Sequence, residues 1–170
     1  MNQNRDNVVL IGMPGAGKST VGVVLAKILN KQFVDADLVI QNQTRKTLQM
    51  LIDELGADGF IDIENEILCS IEAEGSIIAT GGSAVYSDAA MKHLSTIGTV
   101  VYLEISYESL LDRLSDLQER GVVLKGGVSM SLRELYEERK PLYERYADLT
   151  VNVDGLTITA AARRIAAALA

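Results

Sequence analysis

Residues 7–19 read Asn7-Val8-Val9-Leu10-Ile11-Gly12-Met13-Pro14-Gly15-Ala16-Gly17-Lys18-Ser19. The opening apolar run is continuous, which is how a buried parallel strand reads. From Gly12 the pattern becomes G-x-x-x-x-G-K-S, and an apolar helical pattern follows from Lys18. Strand, glycine loop and helix in that order are the context a phosphate-binding loop requires. Gly12, Gly15, Ala16 and Gly17 bring backbone N–H groups close to phosphate oxygens, and the helix start adds its positive dipole end. Lys18 is expected to reach the β- and γ-phosphates and Ser19 to ligate Mg²⁺, with Thr20 beside them. The expected ligands are a nucleoside triphosphate and Mg²⁺.

Working outward, residues 33–35 look like the end of a second strand, and residues 47–74 carry helical periodicity broken near Gly56 and Gly59. Residues 76–80 form a third strand and lead into Gly81-Gly82-Ser83. Helical patterns are expected over 87–95, 106–118, 131–146 and from Thr157 onward, with strands over 99–105 and 149–153. Strands alternating with helices specify an α/β three-layer sandwich, a mostly parallel sheet with helices on both faces. Ligands in such folds bind beyond the carboxyl ends of the strands. The phosphate loop, Asp35 with Asp37, and the glycines after the third strand all fall on that edge.

The chain has 170 residues, a net charge of −7, two prolines and one cysteine. That suits a single domain over residues 1–170, loose only at residues 1–6 and in a glycine-rich segment at 120–131. No basic cluster appears, so no nucleic-acid partner is expected. Cys69 has no internal partner for a disulfide, no signal peptide precedes the first strand and no apolar run reaches membrane-spanning length. A cytoplasmic location, no membrane partner, and a monomer or small homo-oligomer are the expectation. A GTPase would need an Asn-Lys-x-Asp segment, and none is present. Glu104 closes the fourth strand where a metal-linked acid would sit, or it is an ordinary polar strand end. Asp35 and Asp37 are either site carboxylates or a turn with a helix cap.

Several segments, in one consistent order, make the chain resemble the shikimate kinases, small P-loop kinases of metabolites. They are the phosphate loop, Phe33-Val34-Asp35-Ala36-Asp37, Gly59-Phe60 with Glu64 following, Ala79-Thr80-Gly81-Gly82, Arg113 with Arg120, and Arg139-Lys140-Pro141-Leu142-Tyr143. The resemblance implies a P-loop kinase fold with five parallel strands in the order 2-3-1-4-5, and ATP-dependent phosphorylation of a small carboxylate-bearing metabolite, shikimate by default. It places Asp35 near Mg²⁺, and gives Asp37 the acceptor hydroxyl and its proton. Gly81 and Gly82 offer backbone N–H groups to the substrate, and Arg139 grips its carboxylate. Arg113 lies near the adenine, and Arg120 approaches the transferring phosphates from a mobile lid over 120–131. Arg113 and Arg139 can also be read as ordinary helix-surface cations, Arg139 pairing along its helix.

Three positions depart from the family's pattern. Ile61 stands where an arginine normally follows Gly-Phe and shares the carboxylate, Ser83 replaces a third glycine, and the lid reads Arg120-Gly121-Val122-Val123. Isoleucine cannot supply the charge or planar geometry of an arginine clamp. Either another cation, such as Arg45 or Lys46, takes its place, or the acceptor differs. A hydroxy amino acid such as homoserine would suit Arg139 on its carboxylate and Asp62 on its ammonium. A nucleotide-binding protein without kinase activity, and a nucleotide kinase of related fold, are the remaining readings.

Overall fold

A computed structural model describes residues 5–114 and 131–170. Five strands, β1 (Asn7–Ile11), β2 (Gln32–Asp35), β3 (Ser76–Ala79), β4 (Gly98–Glu104) and β5 (Leu149–Asn152), form one sheet in the order β2-β3-β1-β4-β5. Every pairing is parallel, with Val9 opposite Ile78 on one side and Val100 on the other. The expected architecture and strand order are what the molecule adopts. All five residues of β1 are buried whichever way they point, which requires cover on both sheet faces.

That cover comes from α1 (Lys18–Ile28), α3 (Leu48–Ser70), α4 (Asp88–Ile97), α5 (Tyr107–Leu114), α6 (Leu132–Tyr146) and α7 (Ile158–Leu169), with α1 lying against α7 and α3 against α4. Local chemistry sets several boundaries. Thr157 caps α7 through the Ala160 N–H, and Ser131 and Glu134 close a reciprocal capping box on α6. None of the described helices is long and apolar enough to cross a membrane.

Three expectations are corrected. The sequence reading left the segment after β2 without a helix, yet Ala36–Thr44 forms α2. Its nine residues are too few to show a helical period, while Asp35 caps it by accepting from the Asp37 and Leu38 N–H groups. The long helix α3 breaks at Gly56 alone (φ 73°, ψ 176°) and continues through Gly59. Arg5 and Asp6, expected to be loose, are anchored: Arg5 donates to the Gly98 carbonyl and pairs with Asp148, and Asp6 accepts from Lys31.

The main core wraps the sheet. A second, smaller cluster of Ile40, Leu51, Phe60 and Ile67 joins α2 to both halves of α3. This satellite core supports one wall of the cavity described next.

Candidate active site

The phosphate loop passes close to the backbone of β4. Gly12 has φ 147°, and a Cβ there would sit 2.9 Å from the Leu103 carbonyl oxygen, so no side chain fits. Gly17 (φ 96°) caps α1 without a side chain. Lys18 is buried, and its ammonium donates to the carbonyls of Gly12 at 2.7 Å and Met13 at 2.9 Å. Burial pulls its pKa down to about 8, with Asp37 the largest opposing influence. Thr20 donates to the Gly17 carbonyl.

Ser19 Oγ donates to Asp35 Oδ2 at 3.2 Å, while Asp35 Oδ1 caps α2. Asp35 therefore both caps a helix and faces the phosphate loop. Hydroxyl and carboxylate oxygens are hard donors, and Mg²⁺ is held by one or two such groups plus phosphates and water. Their juxtaposition fits that ion. Asp37, in the first turn of α2, has its pKa raised by burial and by the neighbouring Asp35 charge, with Lys18 opposing.

On the far side, the loop after β3 runs between the phosphate loop and α6. A Cβ on Gly82 would meet Pro14 Cδ at 2.7 Å and an Arg139 guanidinium nitrogen at 2.9 Å, so only glycine lets the three segments close up. Arg139 is buried, donates from Nε to the Tyr86 hydroxyl at 3.2 Å, and lies 5.2 Å from the Tyr86 ring centroid. Tyr86 in turn donates to Glu138 at 3.1 Å. Tyr143, one turn beyond Arg139, donates to the Gly82 carbonyl at 2.7 Å and stacks on Tyr102 at 5.1 Å between centroids. The Arg139–Tyr143 segment thus ties α6 to the glycine loop.

A cavity of about 570 Å³ runs between these walls, lined by Gly15, Gly17, Lys18, Ser19 and Thr20 at one end and by Asp37, Gly81, Gly82 and Arg139 at the other. A smaller cleft of about 270 Å³ lies behind the loop and is lined by Arg113, Thr20, Leu156 and Ile158. Arg113 donates to the Ala16 carbonyl at 3.2 Å, so it touches the phosphate loop. Arg120 and residues 120–130 of the expected lid lie outside the described residues.

The sequence reading quoted Glu64 but gave it no role. It is buried against the cavity, and its Oε1 accepts from Ser83 Oγ at 2.7 Å. Phe60 and Glu64 share a helix face at i,i+4, a spacing that marks Glu64 as inward-facing. Asp62, two positions back on the helix, points away from that face, is exposed and does not line the cavity. The expected ammonium contact of Asp62 is therefore not formed by this geometry. Arg45 is exposed and Lys46 pairs with Glu54; neither lines the cavity, so neither occupies the place of the absent arginine. Glu104 accepts from Asn152 and also lies off the cavity.

Known proteins with the same features agree on the family. A sequence model described as shikimate kinase matches residues 14–170. The shikimate kinase of Vibrio parahaemolyticus is 39% identical over 160 residues, 94% of this chain and 93% of that protein. That of Thiobacillus denitrificans is 39% identical over 149 residues, 87% of this chain and 81% of that protein. A solved structure, a shikimate kinase from Acinetobacter baumannii in complex with shikimate, superposes with a TM-score of 0.86 at 30% identity, covering 98% of this chain and 94% of the other. A family match over all but the first strand and its flank, joined to that identity along most of the chain, means that this protein belongs to the shikimate kinase family.

Proposed function

We propose that this protein transfers the γ-phosphoryl group of ATP to a hydroxyl of shikimate. The observation that carries the reading is the single cavity lined in common by Lys18, Asp37 and Arg139. Phosphoryl transfer needs positioning and charge neutralisation more than covalent help from the protein. The loop N–H groups and Lys18 take the phosphates, whose charge restores the ammonium that burial disfavours. Thr20 and Arg113 border the cleft behind the loop, where the nucleoside end of ATP fits.

At the other end, Arg139 pairs with the acceptor carboxylate and the Gly81–Gly82 backbone borders the acceptor ring. Asp37 accepts the hydrogen bond of the attacking hydroxyl, and its raised pKa suits it to take the proton as the oxygen bonds to the γ-phosphorus. The bond from that phosphorus to the β–γ bridging oxygen breaks, and ADP leaves. Ser19 and Asp35 would hold Mg²⁺, which when bound neutralises charge on the phosphate oxygens. Arg120 is assigned to the transferring phosphates on the sequence resemblance.

The test is MgATP consumption by the purified protein against a panel of small acceptors, with shikimate and L-homoserine as the central pair. ADP formation with shikimate is the expected outcome. Turnover with homoserine alone, or nucleotide binding with no turnover on any acceptor, refutes the reading.

A further inference from the structure

The acceptor end holds a buried acid with an unusual partner. Glu64, 1% exposed, takes its hydrogen bond from Ser83, a hydroxyl present only because position 83 is not glycine. Its other oxygen faces Gly81. A Cβ placed there would lie 2.9 Å from Glu64 Oε2 and 3.0 Å from Asp37 Oδ1, so carboxylates from α3 and α2 converge over one glycine. Among the described residues no cation comes within 4.0 Å of Glu64 to form a salt bridge. The charged groups facing it are Asp37 from α2, Arg139 from α6 and Lys18 from α1. Burial pushes its carboxyl up to about 7, with Asp37 acting in the same direction and Ser83, Arg139 and Lys18 against it.

Two carboxylates sharing a poorly solvated site do not both stay ionised when a third anion arrives. The acceptor's carboxylate is that third anion. We propose that Glu64, oriented by Ser83, takes a proton from solvent and binds the acceptor as a neutral carboxylic acid, donating from Oε2 to an acceptor oxygen over Gly81. This rests on the reading of the chain as a kinase of a carboxylate-bearing acceptor. It gives the pocket a hydrogen-bond donor that Ile61 does not supply. One carboxyl as donor beside another as base is an arrangement set by environment alone.

The experiment is calorimetric titration of the nucleotide-free protein with shikimate from pH 6 to 9, in buffers of differing ionisation enthalpy, which counts protons taken up on binding. The expected result is uptake of most of one proton at pH 8. Affinity should weaken toward tenfold per pH unit above about pH 7. Glu64→Gln, a neutral side chain that retains a donor, should bind at pH 8 about as tightly as at pH 6 and take up no proton. Ser83→Gly removes a group that holds the carboxyl down, so the pH window of uptake should move upward; this variant serves if Glu64→Gln does not fold. Shikimate binding with no proton uptake and a flat pH profile overturns the proposal alone. Tighter binding of L-homoserine as pH rises would place an ionised Glu64 on an ammonium and also overturns it. Failure of both compounds to bind removes the kinase reading and this proposal with it.

Discussion

Gly82→Ala is the most informative single change, because one methyl group would press on both substrate sites. The backbone of Gly82 does not need positive φ, so the substitution acts through space and not through dihedral strain. The added carbon would stand 2.7 Å from Pro14 Cδ and 2.9 Å from an Arg139 nitrogen. Ordinary contact begins at about 3.5 Å, so the glycine loop, the phosphate loop or Arg139 must give way by about 0.6–0.8 Å. Overpacking of this kind costs about 1–3 kcal/mol of stability, a fall in Tm of about 2–12 °C for a chain of this size. The kinetic cost is larger: a misplacement approaching 1 Å between reacting partners lowers the rate roughly a hundredfold. The assay is kcat/KM for shikimate and for MgATP by coupled ADP release, with Tm measured on the same preparation. Gly155→Ala is the control. Gly155 has φ 67° with open space around its Cβ, so that variant should lose about 1 kcal/mol of stability and keep its kcat/KM. A Gly82→Ala enzyme within threefold of the parent in both kcat/KM values would refute the claim that this glycine sets the spacing between the two sites.

Other residues give separable outcomes. Arg139→Lys loses the planar fork and should raise the shikimate KM about ten- to hundredfold while nucleotide affinity, read by equilibrium binding, stays unchanged. Asp37→Asn should lower kcat by about 10²–10⁴ with little change in KM for either substrate in steady-state assays, because the group is assigned to proton acceptance. For Glu64 the folded carboxyl titrates near 7 and the unfolded one near 4.5. The native state therefore holds more protons between those values, and this group's stabilising contribution is full below pH 4.5 and lost as pH rises through 7. Urea unfolding of ligand-free protein at pH 5 and pH 8 should show Glu64→Gln gaining on the parent at the higher pH, by at most roughly 3 kcal/mol. An unchanged difference between the two at both pH values contradicts the burial of an ionisable Glu64.

The phosphate loop and the α/β class were legible because their signals are local: one continuous apolar strand, fixed glycine spacing, and strict alternation of elements; the strand order followed only from the family resemblance. α2 was not, because Ala36–Thr44 is short, its apolar residues cluster in its first half, and it forms on the cap that Asp35 supplies. The acceptor wall was only half legible. The substitutions at Ile61 and Ser83 were visible as departures, but their meaning depended on Glu64, which meets Ser83 across 19 residues of chain. Reading Asp62 as the compensating acid chose the wrong helix face. The i,i+4 spacing of Phe60 and Glu64 held the information needed to choose the right one. Tyr143 was quoted in the segment that carries the resemblance but given no role, since a hydroxyl aimed at the Gly82 carbonyl has no signature along the chain.

The cluster of Ile40, Leu51, Phe60 and Ile67 is separate from the core that wraps the sheet. A mutation within that cluster therefore repacks against a handful of neighbours on α2 and α3, while β1 and α1, which flank the phosphate loop, are left undisturbed. Sequence drift meets less resistance in such a satellite than in the sheet. A lineage can thus vary the wall around its acceptor without relearning how to hold the nucleotide, and Ile61, on the helix that carries Phe60 and Glu64, is one position where this chain departs from the family's pattern.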